Sequence, residues 1–105
     1  MIDENDIAKT LQLFSSVGDA VAMDFMLADA IEITNQGRTD TATYLLDLSE
    51  RFFKLYLEAK GDLHSNTEGL RIISISLRKV AQRLYAACGT KVDDGRLLKL
   101  VKQEP

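Results

Sequence analysis

The sequence predicts an all-α fold: an antiparallel four-helix bundle with a short fifth C-terminal helix, self-associated as a dimer. Three observations carry this expectation. Gly18, Gly37, Gly61 and Gly89 each close a stretch in which apolar residues recur every three to four positions, the helical period. Each of these glycines is followed within a few residues by Asp or Thr, whose short side chains accept hydrogen bonds from the free N–H groups that open a helix. Only Ile72–Ser76 is β-branched and alternating in the manner of a strand, and nothing else in the chain could pair with it.

The elements follow in order. Helix one is expected over Asp3–Ser16, where Ile7, Leu11 and Phe14 share one face and Asp3, Glu4 and Asp6 place negative charge at the positive end of the helix dipole. Helix two is expected over Asp19–Gln36, with Met23, Met26, Leu27, Ala30 and Ile31 on one face and Asp24, Glu32 and Asn35 opposite. Helix three starts near Thr39 or Asp40 and runs to Lys60. Its polar stripe is Asp47, Glu50, Arg51, Lys54 and Glu58, with opposite charges four residues apart. The remaining side chains, Leu45, Leu46, Leu48, Phe52, Phe53, Leu55, Tyr56 and Leu57, cover an arc of about 200°, wider than a one-sided face. Such a helix either sits centrally or has part of its surface covered by a second subunit. Helix four is expected over Thr67–Cys88, opened by a Ser65–Glu68 capping box, with a core face of Leu70, Ile73, Leu77, Val80, Ala81, Leu84 and Ala87. Helix five is expected over Asp93–Lys102, docked through Leu97, Leu98 and Val101. Connections of a few residues favour antiparallel neighbours, and the 105 residues form a single domain.

Composition bounds the class. With 46% hydrophobic and 28% charged residues, the chain is an ordinary globular sequence that needs no disulfide or metal to fold. One cysteine, no apolar run long enough for a bilayer, and an acidic N-terminus unlike a secretory signal lead to the expectation of a cytoplasmic protein with no membrane partner. The net charge of −3 hides an asymmetry: residues 1–50 carry ten acidic and two basic side chains, whereas residues 51–105 carry six acidic and eleven basic. The halves can neutralise each other within the fold or between subunits, and either can steer a charged partner.

Catalytic and metal chemistry find no support in the residues. His64 is the only histidine and Cys88 the only cysteine, so neither a histidine-bearing di-iron site nor a zinc site has ligands, and no cofactor or metal is expected. His64 reads as a polar loop residue and Cys88 as a buried structural cysteine. No phosphate-binding loop, dinucleotide fingerprint or serine-nucleophile elbow occurs, and Asp93–Asp94 reads as a helix cap. The expectation is a protein that is not an enzyme.

What remains is surface recognition. On helix four, Arg71, Arg78 and Gln82 lie near one azimuth, flanked by Ser74 and Tyr85 on one side and Ile75 on the other. Ile72 lies on the far flank with Lys79 and Arg83. Isoleucines outside the core arc, set among arginines, have the composition of an interface. The preferred reading is a small regulator, adaptor or inhibitor that contacts another protein through this face. Two other readings compete. Arg71, Arg78, Lys79, Arg83, Lys91, Arg96, Lys99 and Lys102 would let helices four and five contact nucleic-acid phosphates, although the acidic chain as a whole opposes this. Asp19, Asp24, Asp29 and Glu32 would let helices one and two meet a basic surface, in the manner of an immunity or inhibitor protein.

Overall fold

The computed structural model describes residues 2–38, 40–61 and 67–89. Among them the chain forms four helices and no strand: α1 (Glu4–Val17), α2 (Asp19–Asn35), α3 (Asp40–Ala59) and α4 (Glu68–Cys88). The β-branched Ile72–Ser76 run is helical. The expected fifth helix over Asp93–Lys102, His64 and Ser65 lie outside the described residues. The expected Ser65–Glu68 capping box does not open α4: the residue before the helix is Thr67, whose side chain makes no cap hydrogen bond, so Glu68 is the first helical residue and not the third.

The start of α1 is set by a reciprocal cap. The Asp6 N–H donates to Asp3 Oδ1 and the Asp3 N–H donates to Asp6 Oδ2, each at 3.0 Å, so two N–H groups that the helix cannot pair are satisfied by side chains. Thr10 and Phe14 are its buried residues. Gly18 alone separates α1 from α2. Its N–H donates to the Phe14 carbonyl at 3.2 Å and its own carbonyl accepts from Ala22 at 3.0 Å, so one residue closes the first helix and opens the second. In α2 the buried residues are Ala22, Met23, Ala30 and Thr34; the two alanines allow a close approach to its neighbours, chiefly α4. Gly37 closes the second connection with a positive φ.

The main contact in the fold is α3 against α4. Phe52, Leu48, Leu77, Leu84 and Val80 are its fully buried large side chains. At the crossing the Ser49 hydroxyl donates to the Ser74 carbonyl and the Ser74 hydroxyl donates to the Ser49 carbonyl, both at 2.9 Å. Small side chains let the helices approach, and the exchange leaves neither hydroxyl unpaired. This corrects the expectation that Ser74 flanks an exposed face. Ala87, expected in the core, is exposed, because it stands in the last turn of α4 beyond Leu84, the last buried residue of that helix. Cys88, expected to be buried, is half-buried. The Cα radius of gyration is 13.8 Å, close to the ~13 Å of a compact domain of 100 residues. No helix of the described residues is long and apolar enough to cross a membrane.

Candidate functional site

The site is built where α3 and α4 meet at the surface. The Ser49–Ser74 exchange fixes one point of the contact. The connection from Ala59 to Glu68 is short, which favours antiparallel neighbours. The two helices therefore run in opposite senses. Helical periodicity then places the remaining side chains. Phe53 and Leu57 follow Ser49 at four and eight residues, along the same side of α3. Arg71 and Arg78 flank Ser74 at three and four residues on α4, and Ile75 lies one position further round. Phe53, Leu57 and Arg71 therefore lie on one side of the Ser49–Ser74 contact along the seam, and Arg78 and Ile75 on the other.

The seam exposes both apolar side chains and arginines. Phe53 and Leu57 are each 48% exposed and Ile75 is 39% exposed. The Phe53 and Tyr56 rings lie 5.9 Å apart between centroids with an interplanar angle of 42°, a favourable tilted geometry that orients both rings. Arg71 is half-buried and its Nε donates to Glu68 Oε1 at 3.2 Å. That contact holds the Glu68 carboxyl below the usual carboxylate range and raises the Arg71 guanidinium above its ordinary value. Arg71 is thus held by a carboxylate one turn back on its own helix.

The structure places the sequence-derived candidates as follows. Ile75, Arg78, Lys79 and Arg83 are exposed, and Arg71, Ile72 and Gln82 are half-buried. Arg71, Ile75, Arg78 and Gln82 lie toward the α3 side; Ile72, Lys79 and Arg83 lie toward the other flank of α4. Phe53 and Leu57 join the first group although sequence reasoning assigned them only to a broad apolar arc. The width of that arc was the signal, since one neighbour cannot cover it. Asp19, Asp24, Asp29 and Glu32 of the competing acidic reading are all exposed on α2.

A second concave feature lies on the opposite side of α3. A cleft of about 520 Å³ bordered by Ile2, Asp6, Arg38, Asp40, Tyr44 and Asp47 adjoins one of about 280 Å³ over Leu13, Met26, Ala30 and Leu45. Ile33, Thr41 and Tyr44 line both, so the two form one groove between α1, α2 and α3. Tyr44 donates to Asp6 Oδ1 across it at 3.3 Å. The Asp3 backbone N–H, and to a lesser degree the Tyr44 hydroxyl, hold the Asp6 carboxyl below the usual range; partial burial, with the Asp6 charge, pushes the Tyr44 phenol up. Among the described residues no group of three or more His, Cys, Asp or Glu is placed to hold a metal ion. The chain matches no family model, no curated protein and no solved structure. The functional reading therefore rests on the chemistry of these surfaces.

Proposed function

We propose that this protein is a non-enzymatic interaction module, a small cytoplasmic regulator, adaptor or inhibitor that captures another protein on the α3–α4 seam. The supporting observation is the half-exposure of Phe53 and Leu57 along the stretch of the seam that Arg71 borders, with Ile75 and Arg78 exposed further along α4. Aromatic and aliphatic anchors surrounded by arginine are what protein interfaces concentrate at their centres, because the anchors gain from leaving water and the guanidinium makes several directional hydrogen bonds. A second copy of the chain is one such partner: we propose a homodimer that covers the same seam. Self-association and capture of a different protein then compete for one surface, which is a means of regulation by exchange. The fifth helix over 93–102 stays an expectation from the sequence.

The test is capture from native lysate by the wild-type chain and by the double variant Arg71→Glu/Arg78→Glu, with circular dichroism to verify the fold. The expected outcome is an unchanged helical spectrum and loss of the captured protein. Unchanged capture would place the binding surface elsewhere.

Exposure of Arg78, Lys79 and Arg83 on one helix supports a second reading, contact with nucleic-acid phosphates. Salt titration against generic duplex DNA separates the two, since phosphate binding weakens steeply with salt and absence of binding at low salt ends this reading.

A further inference from the structure

We propose that the groove between α1, α2 and α3 is a second interaction site, one that receives a basic amphipathic helix of another protein. This inference is independent of the α3–α4 seam and uses none of its residues. The floor is apolar: Leu13 from α1, Met26, Ala30 and Ile33 from α2, and Leu45 from α3. Met26, Ala30 and Ile33 are spaced by four and three residues, so they form a row along α2 that complements apolar side chains at the same helical spacing on an incoming helix. The α1 residues that line the groove run from Asp6 to Leu13, which at 1.5 Å per residue is a length of about 10 Å, or two turns of an occupant.

Charge selects the occupant. Asp6, Asp40 and Asp47 border one end of the groove and Asp29 the other, against Lys9 and Arg38. Arg38 donates to Asp40 Oδ2 at 3.1 Å, so those two charges offset each other and the balance of the border is Asp6, Asp47 and Asp29 against Lys9. The surrounding surface reinforces the sign, because residues 1–50 carry ten acidic side chains and two basic. An acidic or neutral helix would place its polar edge against this rim without compensation; a helix with lysine or arginine beside its apolar stripe meets opposite charge. The Asp3 backbone N–H beside Asp6 and the Arg38 guanidinium beside Asp40 hold these two carboxyls below the usual carboxylate range.

The experiment uses two synthetic 18-residue helical peptides with the same leucine stripe, one with lysine and one with glutamate on its polar face. Each is titrated into the ¹⁵N-labelled full chain. The lysine peptide is expected to bind at least about tenfold more tightly than the glutamate peptide and to weaken as salt rises. The largest amide shifts are expected at Ala30, Ile33 and Tyr44. The double variant Asp40→Asn/Asp47→Asn is expected to lose roughly tenfold in affinity. The single variant Asp29→Asn, at an exposed side chain, is expected to weaken lysine-peptide binding at the other border. Phe53→Glu is expected to leave peptide binding unchanged. Equal binding of the two peptides, amide shifts confined to the α3–α4 seam, or full affinity in all the aspartate variants would overturn the proposal.

Discussion

Gly18 has φ +83° and ψ +165°, a backbone region that is essentially closed to any residue with a Cβ. Nothing lies within 4 Å of the position a Cβ would take, so space is not the constraint and conformation alone sets the cost. Gly18→Ala is expected to destabilise the fold by about 1–3 kcal/mol, read as a lower denaturant midpoint with an unchanged slope. An unaltered midpoint would mean that the single-residue turn relaxes. Thr34 presents the reverse case. It is 2% exposed and its Oγ1 has no hydrogen-bond partner among the described residues. A buried unpaired hydroxyl costs about 1–3 kcal/mol, and valine has the same shape without it. Thr34→Val is therefore expected to stabilise by about 1 kcal/mol, a rise of roughly 4–8 °C in Tm. A fall in Tm would show that the hydroxyl is paired.

Elements differ in how firmly they are held. In α3 and α4, seven residues each are buried; in α1 only Thr10 and Phe14 are. Packing of an amphipathic face supplies most helical stability in proteins, so α1 is the least anchored element. Its polar link to α3 is the Tyr44–Asp6 hydrogen bond. The pH dependence of that link has a definite sign. The Asp6 value is lowered on folding, so its contribution is present above the unfolded carboxylate value and is lost as pH falls through the folded one. The Tyr44 value is raised, so its contribution is present below the unfolded phenol value and is lost as pH rises through the folded one. Hydrogen exchange is expected to show α1 better protected in the wild type than in Tyr44→Phe at neutral pH, with the difference vanishing at both acidic and alkaline extremes. Equal α1 protection in the two proteins at neutral pH would remove the tether.

For the molecule as a whole, two surfaces of opposite character lie on either side of α3: an arginine-bordered apolar seam and an acid-bordered groove. This is the spatial form of the charge asymmetry along the chain. Sedimentation at micromolar concentration is expected to show a dimer for the native chain and a monomer for Phe53→Glu/Leu57→Glu. Both replaced side chains are about half exposed, so the variant is expected to keep its helical spectrum. A native chain that sediments as a monomer would remove the self-association proposal and leave the seam to a different protein.

The number of helices among the described residues, and their ends to within a residue or two, were legible in the sequence. Glycine breaks, capping side chains and the 3.6-residue period are local properties of the chain. The arginines and Ile75 of the seam were legible for the same reason, because periodicity assigns each side chain a direction around its helix. Periodicity does not say where a neighbouring helix stops. Leu46 and Phe53 are seven residues apart and point the same way from α3, yet Leu46 is 5% exposed and Phe53 48%. Nothing in their local sequence separates them, and only the tertiary packing along α3 does. Ser74 makes the same point from the other direction: its polar side chain is buried because Ser49, 25 residues away, answers its hydroxyl and its carbonyl. Local backbone preferences therefore determined which segments are helical and which side chains share a face. The tertiary arrangement alone decided which part of each face is covered, because covering an apolar or polar group depends on partners that are distant along the chain.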